Sequence, residues 1–190
     1  MKKLLISIIA FILMGSMCMC VEKKSSLYDY SNNKVLTVDI NNTPVNLELR
    51  TTVGEALSTN LINTNDKDIK NYYLSHKIIY FEYNHSLPSA EGGVSIVDLA
   101  SKLKFLNPIY PHYIVDDTVF KNESEINKVK NSNQTMIIKI IKCNKSATIE
   151  KINNTFVIEG NSLKELDKAE SRFILAIYTT PKDKYYISLT

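Results

Sequence analysis

Tryptophan is absent from this chain of 190 residues, histidine and cysteine each occur three times, and glycine occurs five times. Cys18 and Cys20 fall within the first twenty residues, so beyond that stretch only Cys143 is left and no internal disulfide can form there. Cys143 ends an apolar run beside Lys142 and Lys145, where a small half-buried hydrophobe is favoured over a lysine-activated thiol. His76 and His85 are nine apart, an odd offset that sends them to opposite faces of a regular strand, and His112 lies in another segment. No metal-ligand spacing results, and no metal or other cofactor is expected. The glycines, at 15, 54, 92, 93 and 160, form neither a phosphate-cradling Gly-rich loop nor a Gly-x-Ser-x-Gly elbow. Charge of one sign is missing too. The formal net charge is +3, Lys2 and Lys3 supply two of those, and the other lysines are interleaved with acids. Nothing in that balance points to a nucleic-acid partner.

What is present begins with residues 1–20, MKKLLISIIAFILMGSMCMC. A basic start, an apolar run over residues 4–14 and a small-residue zone have the layout of an export signal. The run falls short of the roughly 20 apolar residues of a spanning helix. An uncleaved anchor reaching to about residue 21 is the alternative. Cys18 and Cys20 are candidate lipid-attachment points, although Met17 and Met19 stand where a lipobox prefers a small residue. Residues 21–33 are polar and aperiodic and read as a tether. The expected location is extracytoplasmic: secreted, at the cell surface, or held to the membrane by leader or lipid. Six Asn-x-Ser/Thr triplets, at Asn41, Asn84, Asn122, Asn133, Asn144 and Asn153, suit glycosylation of an exported protein.

From residue 34 the pattern predicts one mixed α/β domain running to residue 190, with hairpins near both ends and amphipathic helices on a sheet. Apolar residues on either side of Asn41-Asn42-Thr43-Pro44 predict a hairpin over 34–49. Thr52 and Glu55 have capping-box spacing and predict a helix over 53–61. Residues 63–71 read as a loop or short surface helix, and 76–83 as a central strand. A loop over 84–93 then leads to Ser95 and Asp98, a second capping box opening a helix over 96–106. An edge strand over 109–115, a helix over 122–131 and a doubly buried strand over 135–142 follow. A hairpin turns at Asn153-Asn154, Ser162 caps a helix over 163–178, and a last strand occupies 185–189.

The stretch from Pro88 to Leu106, PSAEGGVSIVDLASKLKFL, follows the strand IIYFEYN. Its Pro88, Ser89, Val94, Ser95, Asp98, Leu99, Ala100, Lys102, Leu103 and Leu106 resemble a segment of the S-layer proteins of methanogenic archaea. There a strand near the mature N-terminus is followed by a Pro-Ser pair, a Val-Ser and an Asp-(Ile/Leu)-Ala-x-Lys helix. The likeness covers about twenty residues, with Gly92-Gly93 as a departure. It implies an archaeal cell-surface protein with an S-layer-like module and no catalytic site.

Two functional readings stand side by side. In the first the chain is a non-enzymatic structural or interaction module that meets an envelope protein or glycan. Its eleven tyrosines, flat apolar rings with a polar end, serve such contacts as well as they serve packing. In the second it is an extracytoplasmic ligand-binding or hydrolytic domain. Glu91, Gly92, Gly93 and Ser95 of one loop and Asp116-Asp117 of another would then converge at the ends of adjacent strands, where open α/β sheets take ligands.

Overall fold

The computed structural model describes residues 32–40, 43–82, 89–104, 112–120 and 122–179. Strands β1 (Val35–Ile40) and β2 (Thr43–Glu48) form an antiparallel hairpin in which Leu36 pairs with Leu47 and Val38 with Val45. Leu36, Val38 and Leu47 are buried, so this face of the hairpin packs into the core, while Val35 is exposed. Helix α1 (Val53–Leu57) opens with a complete capping box, Thr52 accepting from the Glu55 amide and Glu55 reaching back to the Thr52 amide.

That helix stops before the predicted residue 61. The Ser58 hydroxyl bonds the Glu55 carbonyl at 2.6 Å, and the Asn60 amide is taken by the Ala147 carbonyl at 3.0 Å. The chain is thereby drawn into a short strand, β3 (Asn60–Ile62). Helix α2 (Asp66–Ser75) is longer than the surface turn expected of residues 63–71. Asn65 caps it, Asp66 and Asp68 complement its dipole, and Ile69 and Tyr73 are buried.

Strand β4 (Ile78–Glu82) and helix α3 (Ser89–Leu103) follow. The helix begins six residues before Ser95, so the predicted loop over its first turns and the capping box at Ser95 are both corrected. Ser95, Leu99 and Leu103 recur four residues apart, and all three are buried. Burial of that stripe outweighs the roughly 1 kcal/mol that each of Gly92 and Gly93 costs a helix. Strand β5 (Tyr113–Asp116), a 3-10 turn (Asp117–Val119) and helix α4 (Glu123–Lys130) lead to strands β6 (Thr135–Lys142), β7 (Thr148–Ile152) and β8 (Thr155–Gly160). Helix α5 (Leu163–Tyr178) is the last described element. The predicted final strand, most of the leader and tether, and the sequons at Asn41 and Asn84 lie outside the described residues.

Six strands form one mixed sheet in the order β3-β7-β8-β6-β4-β5. β8, β6, β4 and β5 are mutually parallel, β7 runs antiparallel to β8, and β3 is parallel to β7. Strand β4, expected to be central, lies next to the edge strand β5. Register places Phe81, Ile138 and Phe156 side by side, on the face that α2 and α5 cover. There Phe156 meets Phe173 edge-on at 5.7 Å and Tyr72 at 5.5 Å. Tyr80 points the other way, stacked with Phe120 at 6.2 Å and covered by the Lys130 ammonium at 4.9 Å. Alpha helices therefore lie on both faces, α4 on the Tyr80 side. The steps β4-α3-β5 and β5-α4-β6 cross the sheet in opposite directions, so connections of one hand put their helices on opposite faces. Among the described residues, no helix is long and apolar enough to cross a membrane.

Candidate functional site

Helix α5 is the centre of the helical layer. Ser162 caps it, accepting from the Glu165 amide at 3.3 Å. Gly160 lets β8 run in close beneath its first turn, since a Cβ there would sit 2.6 Å from the Leu166 amide nitrogen. The sheet lies along one side, and the other sides meet α1, α2 and α3. Arg172 of α5 reaches Asp66 of α2 at 2.8 Å, and Lys164 reaches Glu55 of α1 at 3.2 Å. Enclosure on so many sides buries polar residues that a one-sided amphipathic helix would leave in water. Glu170 and Ser171 are each 2% exposed.

Beside this helix, β2 and α3 frame a cleft of about 330 Å³ lined by Lys34, Asn46, Glu48, Arg50, Asp98 and Lys102 among others. Two of its cations are already paired. Lys102 is paired with Asp98 one turn away on α3, and Arg50 is paired with Asp167 of α5. Tyr178 of α5 donates its hydroxyl to the Lys102 carbonyl, which ties the floor of the cleft to the central helix.

Glu170 lies behind this wall and feels it electrostatically. Burial pushes its carboxyl up to about 7; Ser95 and Arg50 pull it back, while Asp167 and Asp98 push it further up. The Ser95 hydroxyl is near enough to favour the charged form, yet neither carboxyl oxygen has a well-formed hydrogen bond. The group can take up or release a proton near neutrality. Among the described residues, no cluster of His, Cys, Asp and Glu could hold a metal ion.

The candidate residues from the sequence fall in several places. Ser95 is buried in α3 against α5, while Glu91, Gly92 and Gly93 belong to the first turns of that helix. Asp116 caps the 3-10 turn, accepting from the Thr118 amide at 2.9 Å, and Asp117 opens that turn. Neither aspartate lines the cleft beside α3, so the two predicted loops are not brought together there. Asn122, Asn133, Asn144 and Asn153 are exposed, and Cys18 and Cys20 lie outside the described residues.

His76 stacks on Tyr72 at 3.9 Å, and His112 stacks on Tyr73 at 4.2 Å while its Nε2 meets the Tyr73 carbonyl at 2.9 Å. Both are local packing arrangements. Cys143 is half-buried, with its Sγ accepting from the Lys145 amide at 3.3 Å. Of the described tyrosines, Tyr73 and Tyr80 are buried, and Tyr73 donates to the Leu103 carbonyl at 2.8 Å. Tyr113, at 73% exposure on the edge strand, is the described tyrosine most open to solvent. The cleft was not foreseen, because its walls come from residues about fifty apart in the chain. Glu170 carried one faint signal: its neighbours Ala169, Phe173 and Ile174 leave little of the helix surface polar.

Comparison with known proteins gives one kinship over nearly the whole chain. An uncharacterized protein of Methanocaldococcus jannaschii, MJ0259, is 44% identical over 198 aligned residues, spanning 94% of this chain and 98% of that protein. No family model matches the chain. No solved structure matches it.

Proposed function

The chain belongs to the family of that uncharacterized Methanocaldococcus jannaschii protein, and we propose that it is an exported or membrane-tethered surface protein acting through contacts rather than catalysis. One observation carries the reading: a basic, then apolar, then small-residue leader over residues 1–20, joined by the polar stretch 21–33 to a fold whose first strand begins at Val35. The partner is an envelope protein or an envelope glycan, and the resemblance of the stretch around α3 supports an association with an S-layer-type envelope. Within that stretch Ser95, Leu99, Lys102 and Leu103 are buried. Those four side chains are withdrawn from any contact. Val97, 68% exposed on the same helix, is open to one.

Intact mass of the protein taken from its own cells, together with cell fractionation, tests this. The expected result is a chain lacking the leader, or bearing a lipid at Cys18 or Cys20, in the envelope or medium. A cytosolic protein that still begins at Met1 would overturn it.

The cleft between β2 and α3 favours a second reading, an extracytoplasmic module that holds a small polar ligand between Arg50 and Lys102. A ligand there has to compete with Asp167 and Asp98 for those cations, which argues for weak binding. Loss of a measured ligand on Arg50→Ala, with the fold retained, would favour this reading over the first.

A further inference from the structure

Four of the six Asn-x-Ser/Thr triplets fall on described residues, and the fold treats them differently. Asn122 caps α4: its Oδ1 accepts from the Glu125 amide at 3.0 Å, and Ser124 is wound into the first turn. Asn133 is exposed, but Thr135, two residues on, opens β6 at 0% exposure. Asn153 sits at φ 56° in the tight turn between β7 and β8. Its partner Thr155 is locked between Ile137 and Ile152, and Asn154 is held by the Lys130 carbonyl at 3.1 Å.

Asn144-Lys145-Ser146 is different. It lies in the connection between β6 and β7, outside any helix or strand, and all three residues are exposed. Among the described residues, no hydrogen bond or ion pair engages the Asn144 side chain. The loop is nevertheless anchored at its ends. The Cys143 amide bonds the Gly160 carbonyl at 3.0 Å, and the Ala147 amide bonds Glu165 at 2.8 Å. Between those ends the Lys145 ammonium pairs with Glu159 at 2.8 Å, which holds the loop against β8 and leaves Asn144 and Ser146 exposed on its surface.

A transferase must grip the asparagine amide and the hydroxyl two residues later at the same time. A hydroxyl inside a sheet or a helical turn cannot enter such a grip once the domain has folded. We infer that Asn144 is the acceptor of an N-linked glycan on the folded protein. This rests on the export reading above, since the donor is a lipid-linked glycosyl phosphate or diphosphate at the membrane. Asn144 Nδ2 forms a bond to the sugar's anomeric carbon, the C–O bond to the donor phosphate breaks, and the phosphate leaves as an anion. The amide nitrogen gives up one proton to solvent or base. The glycan then covers the end of the sheet where β6 meets the start of α5.

The test is peptide mass mapping of the protein isolated from its own cells, read together with its N-terminus. The expected result is a missing leader, one glycan mass on the Asn144 fragment, and bare Asn133 and Asn153. Ser146→Ala made in the same cells should lose that mass while keeping the mature N-terminus. A leaderless protein with bare Asn144, or with sugar on Asn122, Asn133 or Asn153 instead, overturns the inference and leaves export standing. A sugar-free protein found in the cytosol with Met1 attached overturns both, and a sugar-free protein in the envelope overturns the glycan alone.

Discussion

Glu170 of α5 faces Ser95 of α3 across a buried helix contact, the two residues 2% and 1% exposed. The charged groups around that carboxyl are Arg50 and Asp167, which pair with each other, and Asp98, paired with Lys102. Further along α5, Glu55 of α1 is taken by Lys164 and Asp66 of α2 by Arg172. None of these neutralises Glu170, whose pKa stands at about 7 against an ordinary 4.5. The folded state thus holds a proton that the unfolded chain has already released. Its stabilising share is complete below pH 4.5 and drains away as pH rises to 7, by about 3 kcal/mol. Urea midpoints between pH 4.5 and 8.5 should fall in the wild type and stay nearly level in Glu170→Gln, with the variant the more stable at pH 8. Equal slopes in the two proteins would remove Glu170 as the cause.

Both arginines of the chain meet carboxylates in the helical layer, Arg50 at Asp167 and Arg172 at Asp66. The second pair joins α5 to the first turn of α2 with side chains 12% and 23% exposed. Partial burial makes it worth more than a solvent-screened pair, while the loss of one partner strands the other. Arg172→Ala should cost about 2 kcal/mol, and the double variant with Asp66→Ala less than the sum of the singles by about 1 kcal/mol. Chemical denaturation of all four proteins measures this. Additive losses would mean that the pair contributes nothing of its own.

These two arrangements mark where sequence reading succeeds and where it stops. The hairpins, the box at Thr52, the cap at Ser162 and the edge position of β5 were legible because each rests on local chemistry: a turn, a cap, a proline near a strand. Glu165, spaced to complete a box with Ser162, instead takes the Ala147 amide and Lys168. The box at Ser95 has the same Ser-x-x-Asp spacing and is no box. That spacing is also one turn of helix, and only the packing of α3 on α5 distinguishes the two. Strand β3 was missed because three residues carry no period. Glu170 and the cleft escaped because their environment comes from helices and strands distant in sequence.

Gly160 is a position where one added carbon meets backbone. A Cβ there would stand 2.6 Å from Leu166 N and 2.9 Å from the Glu165 carbonyl carbon, and neither can swing aside as a side-chain tip would. The same residue's carbonyl receives the Cys143 amide, so moving β8 away also disturbs the loop after β6. Gly160→Ala should lower stability by about 2–3 kcal/mol. Asn161→Ala at the exposed neighbour should change it by less than about 0.5 kcal/mol. Thermal melts of the pair check this, and equal melting temperatures would show that the strand end yields.

On the acid side the sign reverses. The Thr51 hydroxyl, the Thr52 amide, Lys164 and the Thr52 hydroxyl, in that order, hold the Glu55 carboxyl down to about 2. Here the folded state favours the ionised form. Its stabilising share is present above pH 4.5 and is lost as pH falls toward 2. Glu165 adds to the same limb, lowered first by Lys168 and then by the Ala147 amide. Losses therefore run toward low pH from Glu55 and Glu165, and toward neutrality from Glu170, so the combined share of these three groups is greatest near pH 4.5. Glu55→Gln removes the charge that the capping box depends on, so it should lower stability at pH 5 and flatten the fall between pH 4.5 and 2. Glu170→Gln should leave that acid limb untouched, because its group is protonated in both states there. Stability curves of the two single variants separate the limbs, and an acid limb unchanged in Glu55→Gln would place its origin in other carboxylates.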